Sequence, residues 1–206
     1  MARPTAPGER RGRGDGLVAM RTLRQTGVTL SIGALTSEVI AAGAGSEGDG
    51  SMHGTPTHRL TALGLALPPA PPAAGTYVHA VRTGNLVFLA GHVPFRADGS
   101  VVMGKLGRDL DTTAGYEAAR RAGLGALATL AAELGSLDHV RRIVRVLGTV
   151  NATPEFVEHT QVVNGASDLF VEVFGDAGRH ARLAVGVASL PYDIALEIEL
   201  IVEVEG

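Results

Sequence analysis

The side chains best placed for chemistry near the end of the chain are an arginine and two glutamates. Arg182 precedes an apolar run at residues 183–190, and Glu197 and Glu199 alternate with aliphatic residues. A guanidinium that opens a strand is by default a solvated edge charge, and alternating glutamates are typical of the polar face of a strand. The same groups can bind a carboxylate and activate water. The pattern alone leaves both interpretations open.

Histidine is the other candidate for acid–base work, because its pKa lies near neutrality. His92 and His180 both adjoin predicted strands. His92 could equally bond a carbonyl group in a turn, which is the interpretation we prefer. The seven histidines are scattered along the chain, and no pair forms a ligand set with neighbouring carboxylates. We therefore expect no metal site.

Composition excludes several other classes of protein. The chain contains no cysteine, which rules out disulfides, thiolate nucleophiles and Cys-ligated metals and fits a cytoplasmic protein. It contains no P-loop and no Gly-x-Ser-x-Gly elbow. A net charge of −3 offers no basic footprint for nucleic acid, and no apolar run is long enough to span a membrane. We therefore predict a protein that uses no cofactor and binds neither nucleic acid nor membrane.

The chain divides near residue 57. Residues 1–57 combine four arginines in a Gly/Pro setting with a Gly/Ser/acidic stretch at 43–50, and Met52 stands just before the organised part. We interpret this segment as a disordered leader or a mis-assigned start, and residues 58–206 as the domain. About 150 residues are enough to bury a hydrophobic core.

The domain reads as hairpins interrupted by helices. We expect strands at 77–82, 86–90, 100–103, 140–150, 183–190 and 196–204, and helices from Asp111 or Thr112 to Leu134 and from Pro154 or Thr160 to Phe174. This order predicts an α+β fold in which a mixed β-sheet carries both helices on one face. Such a sheet leaves edges and one face uncovered, so we expect self-association.

Four segments, taken together and in order, resemble the RidA/YjgF family. They are GTY at 75–77, GNLVFLAGHVP at 84–94, VNGASDLF at 163–170, and HARLAVGVASLP at 180–191 followed by LEIELI at 196–201. The residues of these motifs are similar to those of the branch named YjgF/chorismate-mutase-like or endoribonuclease L-PSP. The resemblance covers residues 58–206 and implies a chorismate-mutase-like homotrimer with active clefts between subunits.

The resemblance also implies an activity and a set of residues. Members of the family hydrolyse reactive enamines and imines of amino acids to 2-oxo acids and ammonia, without metal or cofactor. Arg182 matches the arginine that binds the substrate carboxylate, and Glu197 matches the acid that activates water. Tyr77, Gly91 and Asn164 match substrate-binding positions of the cleft. Hairpin packing for Tyr77 and a backbone contact for Asn164 are the alternatives.

The chain departs from typical deaminases at three positions. Ala90 replaces a serine, and Leu183 and Ala184 replace a small polar pair after the arginine. We therefore expect a more apolar cleft and a different or larger substrate. The alternative function is a non-catalytic trimeric module that binds a small carboxylate metabolite.

Overall fold

The computed structural model describes residues 54–73 and 75–206, so the predicted leader lies almost entirely outside the described residues. A short helix, α1 (Pro56–Ala62), begins just before the predicted domain start. Thr55 caps it, Pro56 occupies its first turn, and Leu60 is buried. The backbone N–H of Thr57 donates to the Asp138 carboxylate at 3.0 Å, which attaches α1 to the segment that precedes the third strand.

Two long helices pack on one face of a mixed sheet, as predicted. Within the described residues the sheet has five strands in the order β1-β2-β5-β3-β4, and only the β3–β4 pair is parallel. The elements are β1 (Ala80–Thr83), β2 (Leu86–His92), α2 (Thr112–Leu134), β3 (Val140–Asn151), α3 (His159–Phe174), β4 (Ala181–Val187) and β5 (Leu196–Val204). The fold is therefore α+β, with β1 and β4 as edge strands.

The helix ends obey local capping rules. The Asp111 carboxylate accepts from the Ala114 N–H at 2.8 Å at the start of α2, and Gly135 ends that helix at φ 79°. Gly175, at φ 62°, ends α3. These boundaries agree with the sequence prediction because caps depend on residues close together in the chain.

Three predicted strands differ from the structure. The strand expected from Tyr77 begins only at Ala80, because β1 pairs with β2 from Ala80 onward and β2 is irregular between Leu89 and His92. Residues 100–103 form isolated bridges to Phe95 and Ile194 rather than a strand. The fourth strand was expected at 183–190 but covers Ala181–Val187, because it pairs with β3 over exactly that range.

The core lies between the helices and one face of the sheet. Every second residue of β5, from Leu196 to Val204, is buried against the helices, whereas the intervening residues are partly exposed. We call the buried side the helix-covered face and the other side the open face. The open face carries apolar residues such as Val81, Phe88 and Leu183, which are 54%, 41% and 48% exposed.

Candidate active site

Arg182 is held by two polar side chains of α3. It is the second residue of β4, and its Nη1 donates to Asn164 Oδ1 at 2.7 Å and to Ser167 Oγ at 3.0 Å. Asn164 and Ser167 lie three residues apart, so they share one side of the helix. The guanidinium is therefore fixed against the helix-covered face rather than free in solvent.

His180 completes this group, which we call the guanidinium cluster: Asn164, Ser167, His180 and Arg182. His180 Nδ1 lies 2.6 Å from the Gly178 carbonyl and must donate to it, so Nε2 of the neutral ring accepts from Ser167 Oγ at 3.0 Å. Burial is the main cause that lowers the pKa of His180. The hydrogen bond to Gly178 raises this pKa in part, and the charge of Arg182 lowers it further. The chain of bonds thus runs from Arg182 through Ser167 to a neutral imidazole.

The charge of Arg182 has no counter-ion in the part of the chain that the structure describes. Its hydrogen-bond partners there are two neutral side-chain oxygens, and both accept from Nη1. The rest of the planar guanidinium edge is thus available to a ligand. A guanidinium held in this way is suited to receive a carboxylate by charge-assisted hydrogen bonds.

Glu197 and Gly91 form a second group, on the open face. A Cβ at Gly91 would lie 3.0 Å from Glu197 Oε2, so the backbone of β2 closely approaches the carboxylate of β5. Burial raises the pKa of Glu197, which is about half-buried. The structure therefore brings together two of the predicted residues, and the carboxyl group of Glu197 keeps its proton to a higher pH than an exposed glutamate does.

Tyr77 lies in the segment before β1, with 47% of its surface exposed. Its ring meets that of His79 edge-to-face at 5.4 Å, and His79 in turn lies 5.4 Å from the ring of His92. Tyr77 therefore belongs to a row of rings beside β2. The structure does not place it in the predicted strand.

His92 has the structural role that we preferred. It is 2% exposed, and its Nδ1 donates to the Ala90 carbonyl at 2.8 Å, so its Nε2 accepts from the Thr129 hydroxyl at 2.8 Å. Burial lowers its pKa to about 4, and the nearby His79 adds a smaller lowering contribution. The ring is therefore neutral at physiological pH and links β2 to α2.

The predicted residues fall on opposite faces of the sheet. Arg182 is in register with Val146 and Leu200, which are buried, whereas Glu197 alternates with the buried Leu196 and Ile198. The guanidinium cluster thus lies under the helices at the β4 edge, and the Gly91–Glu197 pair lies on the open face. One chain by itself does not assemble these residues into a single cleft.

The apolar pair after Arg182 is divided in the same way. Ala184 shares the face of Arg182 and packs against the core, whereas Leu183 points to the open face. Within one chain, only Ala184 therefore shares the face of Arg182. Sequence reasoning also missed Ser167, which supplies a hydroxyl to Arg182; its spacing of three from Asn164 on a helix was the available signal.

No helix among residues 54–73 and 75–206 is long and apolar enough to cross a bilayer. The family model described as "YjgF/chorismate_mutase-like, putative endoribonuclease" matches residues 57–204. Among curated proteins, Protein TCP17 of Trypanosoma cruzi is 43% identical over 148 residues, which cover 71% of this chain and 92% of that protein.

Two solved structures have the same architecture. Protein Atu1372 from Agrobacterium tumefaciens, described as of unknown function, is 40% identical with a TM-score of 0.67 and covers 74% of this chain and 93% of its own. A protein from Shewanella oneidensis, titled a putative endoribonuclease, is 35% identical with a TM-score of 0.71 and covers 73% and 100%. The described part of the chain is thus matched almost end to end.

Proposed function

Because this chain belongs to the RidA/YjgF family, in its YjgF/chorismate-mutase-like branch, we propose that it is a cytoplasmic homotrimeric hydrolase. It would convert reactive 2-imino and enamine acids to 2-oxo acids and ammonia without a cofactor. The observation that carries the proposal is the guanidinium of Arg182, fixed by Asn164 and Ser167 with no carboxylate partner among the described residues. A 2-imino acid supplies the carboxylate that this site lacks.

Glu197 is the residue we assign to proton transfer. In the hydrolysis, the oxygen of water bonds to C2 while the electron pair of the C=N bond moves to nitrogen. Glu197 takes a proton from water and returns it to nitrogen, which gives the carbinolamine. It then carries the proton of the new hydroxyl group to nitrogen as the C=O bond forms, the C–N bond breaks and ammonia leaves. A carboxyl group with a pKa raised by burial performs this exchange better near neutral pH than an ordinary glutamate does.

The remaining predicted residues would position the substrate. Asn164 orients the guanidinium, and Gly91 leaves room beside the Glu197 carboxylate, where a Cβ would lie only 3.0 Å from Oε2. Tyr77, about half exposed, would contact the substrate from the segment before β1.

Two opposite faces supply the two halves of this site, and self-association would join them. The guanidinium cluster lies at the β4 edge, and the Gly91–Glu197 pair lies on the open face with its exposed Phe88 and Leu183. Covering such an apolar face by another copy of the chain buries it and completes the site between subunits. A solution mass near three times the 21.2 kDa of one chain is expected, and a monomer would contradict the proposal.

The second candidate is a non-catalytic module that binds a small carboxylate metabolite. The separation of Arg182 from Glu197 favours it, because carboxylate binding needs only the guanidinium cluster. In that case the protein would bind a 2-oxo acid without accelerating any reaction.

The test generates imines in situ with an amino-acid oxidase and follows the release of 2-oxo acid. We expect acceleration over buffer, and a loss of at least about 100-fold in kcat/KM for Arg182→Ala, which corresponds to about 2.7 kcal/mol. The matched control is Arg179→Ala, because Arg179 is an exposed arginine whose one ion pair among the described residues is with Asp176. It should retain full activity.

The possible outcomes separate the candidates. No acceleration with imines of several side-chain sizes would overturn the hydrolase, and binding of 2-oxo acids lost in Arg182→Ala would then support the module. Retained binding in that variant would overturn both. Because relatives carry the endoribonuclease name, the same preparations are incubated with single-stranded RNA, and cleavage abolished in Arg182→Ala would contradict a small-molecule substrate.

A further inference from the structure

A cleft lies away from the guanidinium cluster, at the carboxyl ends of β3 and β4. Its volume is about 580 Å³, which lies within the range of small-molecule sites. Residues 152–156 after β3, the end of β4 and the loop before α2 form its walls. None of the residues predicted for catalysis lines it.

Two cationic side chains, Lys105 and Arg108, line this cleft, and Lys105 is the only lysine in the sequence. Seventeen arginines and Lys105 make up the 18 basic residues of the chain. Lys105 Nζ donates to Asn151 Oδ1 at 2.6 Å and to the Ala188 carbonyl at 2.5 Å. Within the described ranges, no carboxylate lies at ion-pair distance from this ammonium. Its charge is therefore held by neutral oxygens alone.

The partner of Lys105 is itself fixed. Asn151 is fully buried, and its Nδ2 donates to Asp193 Oδ1 at 2.8 Å, so its Oδ1 must face the ammonium. Asp193 lies in a turn where it and Tyr192 have φ of 57° and 55°. Such left-handed backbone in residues other than glycine is uncommon and is maintained where surrounding contacts require it.

The loop that carries Lys105 is also rigid. Asp109 Oδ2 accepts from the Lys105 backbone N–H at 2.8 Å and pairs with Arg108 Nη2 at 2.6 Å. These contacts lower the pKa of Asp109 to about 2, with the Arg108 bond as the largest cause. The charge of Arg108 is thus matched by Asp109, whereas that of Lys105 is available to a ligand.

The other walls of the cleft are largely apolar. Pro154, Phe156 and Val187 line it, and the ring of His159 stands edge-to-face against Phe156 at 5.4 Å. An apolar pocket with one cation that lacks a carboxylate partner among the described residues suits a molecule that has a carbon body and a single negative group. Inorganic ions alone would leave these walls unfilled.

This cleft cannot share one small substrate with Arg182. Arg182 and Gly186 both lie on β4, four residues apart, and a strand advances about 3.3 Å per residue. The two sites are therefore about 13 Å apart along the strand, more than a small imino acid spans. A ligand in the cleft would be a second ligand.

We propose that this cleft is a second binding site, for a small organic anion whose charged group contacts Lys105 and whose apolar body packs against Phe156 and Pro154. The site does not depend on the proposed hydrolase activity. Its occupant is defined by that chemistry: a carboxylate joined to a hydrocarbon or aromatic body.

The experiment uses the single lysine as a reporter. The full chain is prepared with ¹³C,¹⁵N-lysine, which gives one side-chain spin system, and 3-phenylpropanoate is added as the probe. We expect a saturable shift of the Lys105 Cε–Hε signal. Acetate, inorganic phosphate and the uncharged 3-phenylpropan-1-ol should each bind at least about tenfold more weakly. Equal binding of acetate, phosphate or the alcohol would overturn the proposal.

Variants locate the probe. Ala188→Phe places an aromatic ring on an exposed residue of the cleft wall while keeping the carbonyl that holds Lys105, and should weaken binding at least tenfold. Lys105→Gln, followed by calorimetry, should do the same. Arg182→Ala is the control and should change affinity less than twofold. An unmoved Lys105 signal, or affinity lost in Arg182→Ala but kept in Ala188→Phe, would overturn the proposal.

Discussion

The two faces of the sheet differ in whether their polar side chains have hydrogen-bond partners. On the helix-covered face, Arg182 and His92 have hydrogen-bond partners on α3 and α2. On the open face, Glu197 has no hydrogen bond within the described residues, and the buried hydroxyl of its cross-strand neighbour Thr149 has none either. Arg182 and His92 thus have partners within the chain, whereas Glu197 and Thr149 are left for another molecule.

The closest packing on the helix-covered face is the crossing of α2 and α3. A Cβ at Gly165 would lie 1.9 Å from the Tyr116 carbonyl oxygen, so Gly165→Ala must push the helices apart. We expect the free energy of unfolding to fall by about 3 kcal/mol or more, measured by chemical denaturation. This is the largest single effect we predict.

The matched control lies in the same pair of helices. A Cβ at Gly125 would meet its nearest neighbour, in His92, at 3.9 Å, which is ordinary contact. Gly125→Ala should therefore stabilise the protein by about 0.5–1 kcal/mol, because alanine restricts the unfolded chain. Similar losses in both variants would contradict the close crossing as the cause.

The buried imidazole on the helix-covered face predicts a pH dependence. Burial lowers the pKa of His92 from 6.5 to about 4, so the unfolded chain takes up a proton before the native state does. The stabilisation is complete above pH 6.5 and is lost as the pH falls to about 4. The loss attributable to His92 is about 3 kcal/mol.

His92→Gln isolates this contribution, because the amide can still donate to Ala90 and does not titrate. Denaturation at pH 7.5 and 4.5 should show a larger decrease for the parent protein than for the variant. Equal decreases would exclude the imidazole as the cause.

On the open face, a glycine-to-alanine substitution should cost less stability than Gly165→Ala does on the helix-covered face. Gly91→Ala brings a methyl group to 3.0 Å from Glu197 Oε2, a side-chain atom that can move. We expect less than about 1 kcal/mol of lost stability, but about a tenfold lower kcat/KM in imine hydrolysis, because the carboxylate is displaced. A large loss of stability with unchanged activity would contradict the view that the open face serves binding and the helix-covered face serves stability.

The parts of the molecule that follow from near neighbours in sequence were predicted well. The ends of α2 follow from Asp111 and Gly135, and β5 follows from strict alternation at 196–204. The fourth strand was misplaced by two to three residues at its ends, since its limits depend on pairing with β3. The sequence also did not predict the cleft at Lys105, because its wall around Ala188 is brought near Lys105 only by strand pairing.

The site was predicted as a list of residues rather than as a geometry. Arg182, Asn164, Glu197, Gly91 and Tyr77 came from motifs, and the family that those motifs resemble is the one to which the chain belongs. Their roles stay predictions. The partner of Arg182 that motifs did not mark, Ser167, became evident only when α3 lay over β4.

The sequence by itself determined the fold class, the helix limits and the family, because caps, hydrophobic periods and motifs are local. Only the tertiary structure decided which face each residue occupies. Strand pairing placed Arg182 beneath the helices and both Glu197 and Leu183 on the open face. Which side of a strand is buried depends on register with its neighbours, and a shift of one residue reverses it.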